Sequence, residues 1–497
     1  IVFGDWSSDV CSSDLGLTAV KSLPPVLLVL LLFLLAPPLT TAQASSEGEN
    51  AGKATTGIRS GVWTGTLAIR KETKGPAAPR GGTKSASPGS PAEEGSSLQA
   101  SISLRLLDRG LGALLDIPGQ SMFGYPLDEV SWTGSRLSFS FGALGPGEDL
   151  LFEGIYASSL DAVVGTARSK SWKGSFRLSP TEAELYPGER KINVKVRDGH
   201  LPGTLLIPES GSAASSLVIF VSGSGTSDRD GNNFNVPGRS DSLALLARAL
   251  ASRSIASFRY DKRGSGEAYT KASPGLSVSL DEHIDDATRI VAGFIESGDY
   301  SRIIVVGMNE GAWIGAAALN RLAEEEFFVD GLVAIAVSGE RPLDLLRSSL
   351  EGLSQSLQDE ARTITEAILS NRSFPSPSPQ LADFFASQRI PWLKSWLGFD
   401  PAKELSRVKT ALLLIYGEKD MQVSPAAFEK LLDARPQAAA RIVPSMNYVL
   451  KQVETETENF DSFTNPAYPV PEALVELLAA FVRARPAPQS SFSYIRK

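Results

Sequence analysis

The chain has 497 residues, 42% of them hydrophobic and 21% charged, with a formal net charge of −8 and a single cysteine. That composition is globular and excludes wholesale disorder and a multispanning membrane protein, and an acidic chain without a long basic block lacks the footprint of a nucleic-acid binder. The lone thiol, Cys11, excludes an intramolecular disulfide and any tetrathiolate metal site.

Residues 1–15, with a duplicated Ser-Ser-Asp, read as sequence extraneous to the fold. Lys21 then precedes ten apolar residues, Val26 to Leu35, followed by the small-x-small tripeptide Ala42-Gln43-Ala44. The run is too short for a span of about 20 residues and suits the apolar centre of a secretory signal. A signal peptide over 16–44 is expected, with cleavage after Ala44, giving a secreted or periplasmic protein with no stable membrane span. An uncleaved anchor is the alternative. Cys11 lies before the apolar run, so it is not a lipoprotein attachment site.

A small, polar linker, 45–56, leads into a β region over 57–180. Short runs alternate with period two, as in Ala100/Ile102/Leu104/Leu106 and Leu137/Phe139/Phe141, which predicts half-buried antiparallel strands. The tripeptides Trp63-Thr64-Gly65, Trp132-Thr133-Gly134 and Trp172-Lys173-Gly174 place a glycine beside a large aromatic, as in a small curved barrel or sandwich. Core packing is the expected role of these tryptophans. The low-complexity stretch Lys71 to Ser97 is expected to be a mobile insert.

Near residues 180–191 the period changes, and 190–485 alternates strands with helices as a parallel α/β domain does. Strands are predicted at Leu217 to Val221, Ile255 to Tyr260, Ile303 to Val306, Leu332 to Val337, Ala411 to Tyr416 and Arg441 to Val443. Helices carry Leu243/Leu246/Ala247/Leu250, then Ile284/Ala287/Val291/Phe294/Ile295 behind an Asp281 cap, then Ala312 to Leu322, Ala426 to Leu432 and Glu472 to Val482. From about 341 to 405 the pattern is helical, interrupted by Ser and Pro around Phe374 to Gln380, and predicts an inserted helical cap. Residues 486–497 form a tail.

Gly307-Met308-Asn309-Glu310-Gly311 follows a buried strand and opens a helix, the setting of the G-x-S-x-G nucleophile elbow. Gly223-Ser224-Gly225, followed by Asp228-Arg229-Asp230-Gly231, sits after the first long strand, where an oxyanion loop belongs. Asp261 to Gly266 follows the next strand. Gly417-Glu418-Lys419-Asp420 ends a late strand, and Asn447-Tyr448 follows the last one.

Together these segments resemble the secreted bacterial α/β-hydrolases related to the serine aminopeptidase group, in particular carboxylesterases with an N-terminal β domain, over most of residues 57–485. The resemblance implies an α/β-hydrolase fold with a helical cap, preceded by a small antiparallel β domain. The family elbow reads G-H-S-E-G, its acid segment G-x-x-D and its base segment N-H. By that correspondence Asn309 stands at the nucleophile position, Asp420 at the acid and Tyr448 at the base, and only the acid matches.

A carboxamide offers no lone pair for attack on a carbonyl near neutral pH, and a phenol with an ordinary pKa near 10 is a poor proton shuttle. The two histidines, His200 and His283, read as surface or interface residues. Ser222, Ser224 and Ser338 are alternative hydroxyls without a candidate base. A dinucleotide fingerprint at Gly223-Ser224-Gly225 is disfavoured by Asp228 at the third glycine's place. The backbone N–H groups of Glu310 and of Gly223 to Gly225 are insensitive to the lost side chains and are the expected oxyanion or ligand donors. No metal site or cofactor is expected. The sequence thus points to a catalytically degenerate esterase or peptidase relative that binds a small acyl, ester or peptide ligand or a protein partner. The alternative is an active carboxylesterase or serine-peptidase-like hydrolase with a non-standard nucleophile, and a structural envelope role is the third reading.

Overall fold

The computed structural model describes residues 58, 61–71, 97–106, 113–117, 122–142, 149–181, 185–209, 215–225, 227–233, 238–268 and 278–484. Segment 1–15, the expected signal peptide 16–44, the expected linker 45–56, the expected insert between its end residues 71 and 97, and the expected tail 486–497 lie outside them. The described residues divide into two compact units, with the boundary between positions 184 and 185.

The first unit is a nine-stranded antiparallel sheet: β1 (Gly61–Lys71), β2 (Ser97–Leu106), β3 (Ala113–Ile117), β4 (Met122–Pro126), β5 (Asp128–Trp132), β6 (Arg136–Phe141), β7 (Leu150–Ala157), β8 (Ala162–Arg168) and β9 (Trp172–Thr181). Its order is β4-β3-β2-β1-β9-β8-β7-β6-β5, a meander whose last strand returns to pair with the first, leaving the ring open between β4 and β5. Alternation supplies the core: Trp63, Leu67, Ile69, Leu104, Phe139, Phe152, Phe176 and Leu178 are buried in one cluster. Phe139 stacks on Phe152 at 4.4 Å and Phe152 meets Phe176 edge-on at 5.4 Å. Gly154 and Gly165 are cross-strand partners beneath Phe176, where an added Cβ would come within 2.8 and 2.6 Å of its ring. Two of the three Trp-x-Gly tripeptides mark close backbone approach, since a Cβ at Gly65 or Gly174 would strike a neighbouring carbonyl oxygen at 1.8 or 1.9 Å. The third behaves differently: Gly134 lies in the turn after β5 with nothing within 4 Å.

The second unit holds an eight-stranded sheet of β10 (Glu189–Val196), β11 (Gly199–Leu206), β12 (Ser216–Val221), β13 (Ala256–Tyr260), β14 (Arg302–Met308), β15 (Gly331–Ile335), β16 (Ala411–Gly417) and β17 (Ala439–Val443), in the order β10-β11-β13-β12-β14-β15-β16-β17. Strands β13 to β17 and β12 pair in parallel, and an antiparallel hairpin, β10–β11, covers one edge. The central strands are buried on both faces. Leu217, Ile219 and Val221 enter one core with α2 (Leu280–Ser297), α3 (Glu310–Glu324) and α8 (Pro425–Ala434), while Val218 and Phe220 enter another with α1 (Ser242–Ala251) and α10 (Glu472–Arg483). Helix α2 is capped by Ser279, not Asp281: Ser279 and Glu282 form a reciprocal capping box, and Asp281 lies inside the first turn.

Between β15 and β16 the chain is helical, with α4 (Pro342–Leu350), α5 (Gln355–Leu369), α6 (Ile390–Leu397) and α7 (Pro401–Arg407). Leu346, Ile364, Ile368, Phe384, Phe385, Leu393 and Leu397 give this insertion its own core. The hydroxyl of Ser395 on α6 accepts the Leu280 N–H at 2.8 Å, tying the insertion to the start of α2. A short helix, α9 (Glu456–Asp461), precedes α10. Among the described residues no helix is long and apolar enough to cross a membrane.

Candidate functional site

Parallel pairing puts the carboxyl ends of β12, β13, β14, β16 and β17 on one edge of the sheet, where the loops carrying the sequence-selected residues emerge. Asn309 forms the turn between β14 and α3. Its backbone is strained, with φ 48° and ψ −120°, and its N–H donates to Ile335 O at 2.8 Å. The flanking glycines are sterically required: a Cβ on Gly307 would meet Ala312 at 2.4 Å, and one on Gly311 would meet Val221 O at 2.2 Å. Helix α3 can start so close to β12 only because position 311 is bare.

The structure brings Ser224, Asn309 and Tyr448 together. Ser224 Oγ donates to Asn309 Oδ1 at 2.8 Å, and the Tyr448 hydroxyl is hydrogen-bonded to both side chains. The loop bearing Tyr448 is fixed by buried Asn447, which donates to Asn459 Oδ1 at 2.9 Å and to Ser462 Oγ at 2.7 Å and accepts the Lys451 N–H at 2.9 Å. Burial, Asp420 and Glu310 together push the Tyr448 phenol well above its ordinary value, the hydrogen bonds only partly opposing them. A base at this position therefore holds its proton.

Asp420 also faces the Tyr448 phenol electrostatically. Its Oδ1 accepts N–H groups from Gln422 at 2.7 Å and Val423 at 3.0 Å, whereas its Oδ2 is buried without a hydrogen-bond partner. Burial raises the carboxyl to about 6, against those two backbone bonds. The acid position thus keeps an acceptor for a donor that this chain does not place there.

The expected oxyanion donors are partly engaged within the protein. Glu310 N–H donates to Asn309 Oδ1 at 2.6 Å, and Gly225 N–H donates to the Glu310 carboxylate. The Gly223 carbonyl accepts the Lys262 ammonium, whose nitrogen lies 3.6 Å from Glu310 Oε1. Both ionisable groups are buried. Burial pulls Lys262 down and pushes Glu310 up, and their mutual attraction opposes both shifts. This pair joins the loop after β13, the glycine loop after β12 and the elbow. The Asp261 to Gly266 loop is recognisable in the sequence, but the partner of Lys262 is not.

The remaining candidates are dispersed. Ser222 Oγ donates to Ser227 O at 3.0 Å, and Ser338 Oγ accepts the Glu340 N–H at 3.0 Å. Of the two histidines read as surface or interface residues, His200 is exposed on β11 and His283 is buried, sharing the inward face of α2 with Ile284 and Ala287. Burial, with Lys262 and Arg263 nearby, holds its imidazole well below the ordinary value. Among the described residues no group of three or more His, Cys, Asp or Glu side chains is placed to hold a metal ion.

A two-faced parallel sheet, a strand–turn–helix elbow, a glycine loop beside it and an acid loop after β16 define an α/β-hydrolase fold. Residues 218–450 match the model of the alpha/beta hydrolase family, and over that stretch the chain is a relative of those hydrolases. No curated protein matches it significantly in sequence. Among solved structures, Est1E from Butyrivibrio proteoclasticus with ferulic acid bound is 12% identical, over 59% of this chain and 100% of that one, with a TM-score of 0.38. A proline iminopeptidase from Mycobacterium smegmatis is 16% identical, over 59% and 97%, with a TM-score of 0.37. A Pyrococcus furiosus esterase is 16% identical, over 61% and 95%, with a TM-score of 0.38. At such identities the likeness says nothing of substrate.

Proposed function

We propose that the chain is an exported, catalytically degenerate relative of the esterases and peptidases of this fold, and that it uses the elbow region to bind a small acyl, ester or peptide ligand or a protein partner. The observation that carries this reading is the Asn309 carboxamide at the elbow, with its oxygen on the Glu310 N–H that would otherwise receive an oxyanion. Export rests on the apolar run and Ala42-Gln43-Ala44. The test is hydrolysis of short-chain nitrophenyl esters by the purified protein, together with labelling by a fluorophosphonate. Neither signal is expected, while short acyl or peptide compounds should raise the melting temperature.

A second reading, an active hydrolase with a non-standard nucleophile, is favoured by the Ser224 hydroxyl, which bonds both Asn309 and Tyr448. The upward-shifted phenol weighs against it, since among the described residues it is the side chain bonded to Ser224 that would have to take a proton there. Fluorophosphonate on Ser224, lost in Ser224→Ala, would establish this second reading in place of the first.

A further inference from the structure

At the elbow the hydrogen-bond donors are engaged and acceptors are left over. The Glu310 N–H and the Ser224 hydroxyl both lie on Asn309 Oδ1, and the Gly225 N–H lies on the Glu310 carboxylate. The Tyr448 hydroxyl is bonded to Ser224 and Asn309. By contrast, Asp420 Oδ2, Glu310 Oε2 and Gln422 Oε1 are buried without a hydrogen-bond partner. Asp420 is 9% exposed and Glu310 2%. The Gln422 N–H reaches Asp420 Oδ1 at 2.7 Å, so two of these three free oxygens belong to one turn after β16. Nearby, the Tyr416 hydroxyl donates to the backbone oxygen of Val423 at 3.0 Å and leaves the Asp420 carboxylate unserved. A buried acceptor left unmade is costly, most of all on a charged group.

The charges point the same way. Lys262 balances Glu310, its nitrogen 3.6 Å from Oε1. Among the described residues no cation is placed to do the same for Asp420, whose burial is opposed by the Gln422 and Val423 N–H groups alone. Both carboxylates act on the Tyr448 phenol, which therefore lies in the field of two acids with one ammonium to offset them. A carboxylate ligand would meet that field with the donors it needs already consumed. An ester carbonyl brings further acceptors to a place where acceptors are in surplus. A primary ammonium supplies what is missing, a positive charge and three N–H donors on one atom.

We propose that the ligand of this site carries a primary ammonium, as an aliphatic amine or the N-terminus of a short peptide does, and that the ammonium donates to Asp420 Oδ2 and Gln422 Oε1 after displacing the Tyr448 hydroxyl. Tyr448 is the half-exposed member of the group, its ring stacked on Phe463 at 6.3 Å, so an entering ligand meets it before the carboxylate. The inference rests on the ligand-binding reading above and names the chemistry of its ligand.

The experiment is isothermal titration calorimetry of the full chain at pH 7.5 with n-propylammonium, alanyl-alanine amide, its N-acetylated counterpart, ethyl propionate and propionate. The two ammonium compounds should bind and the other three should not. Binding of both ammonium compounds supports recognition of an amine as such, and binding of the peptide amide alone supports recognition of a peptide N-terminus. Asp420→Asn should weaken binding about 10²-fold, the loss typical of removing one partner of a buried, hydrogen-bonded charge pair. Gln422→Leu should weaken it about tenfold, and it carries the test if the Asp420 variant fails to fold. Tyr448→Phe removes the hydroxyl that an entering ammonium has to displace, and should bind at least as tightly as the parent. Equal binding of the free and N-acetylated peptides, or folded Asp420→Asn and Gln422→Leu variants that bind as the parent does, would overturn the proposal. If the N-acetylated peptide or ethyl propionate binds and the two ammonium compounds do not, the ligand-binding reading stands and this inference fails. If none of the five binds, both fail.

Discussion

The carboxamide oxygen of Asn309 lies 2.6 Å from the backbone nitrogen of Glu310, the first amide of α3. One side chain therefore caps the helix and fills the place where a hydrolase of this fold would hold negative charge. It does so from a residue at φ 48° and ψ −120°, outside the left-handed helical region that asparagine favours. Asn309→Ala removes the cap and leaves a Cβ in that strained backbone, and should cost about 1–3 kcal/mol in urea unfolding. Asn309→Gly loses the cap and relieves the dihedral, so it should fall between the two. An alanine variant as stable as its parent would mean that the carboxamide does not hold the elbow.

Asp420 links the site to pH. Its folded-state value of about 6 is above the ordinary 3.8, so the native state binds this proton more tightly than the unfolded chain. The contribution is fully present below about pH 4 and is lost as pH rises through 6, in total about 2–3 kcal/mol. In Asp420→Asn the uncharged side chain has no such dependence. The two proteins should unfold at similar urea concentrations near pH 4, and the variant should be the more stable at pH 7. Other buried acids that titrate upward, Asp228 among them, are common to both and cancel in the difference. Parallel curves from pH 4 to 8 would mean that Asp420 is not held in an uncompensated burial.

Strands β12, β14 and β16 were legible because a strand buried on both faces reads as an unbroken apolar run. The hairpin β10–β11 was not, since Glu189 to Val196 is a half-exposed edge with no comparable run. The start of α2 was misplaced by two residues because two acidic positions compete with Ser279 for the cap, and only the geometry shows which oxygen meets the Glu282 N–H. At the site, the chain order of the loops indicated where Asn309, Asp420 and Tyr448 belong. It did not show that Ser224 bonds Asn309, nor which of the many lysines would be buried against Glu310. Such pairings are set by the folded arrangement of loops distant in sequence, and residue type alone carries no trace of them.

The Lys262–Glu310 pair makes a quantitative expectation. Lys262→Met should cost about 3–5 kcal/mol, because the Glu310 carboxyl is left buried without its cation and the Gly223 carbonyl without its donor. Adding Glu310→Gln should recover a large part of that loss, since the surviving partner no longer has a charge to bury. Chemical denaturation of the two single variants and the double variant gives the coupling directly. Additive losses would show that the two side chains act separately.

Restoring the missing chemistry is the strongest test of the correspondence between these loops and a hydrolase triad. Asn309→Ser together with Tyr448→His should create esterase activity that the parent lacks, and neither single change should match the pair. Serine needs an imidazole to remove its proton, and the imidazole needs a carboxylate to hold its tautomer, so the three act as a unit and their effects are non-additive. Asp420 already has the required acceptor, its buried and unpartnered Oδ2. The serine change also removes the carboxamide oxygen from the Glu310 N–H, freeing an oxyanion donor in the same step. A positioned general base is worth about 10²- to 10⁴-fold, and the repaired protein should recover part of that range on short-chain nitrophenyl esters. Asp420→Asn in the repaired background should abolish most of the gain. If the double variant folds, brings residues 309 and 448 within hydrogen-bond reach, and still turns over neither esters nor aminoacyl amides, the elbow region does not accommodate a hydrolytic transition state. Turnover by the unmodified protein that survives Asp420→Asn would place the active site elsewhere on the chain.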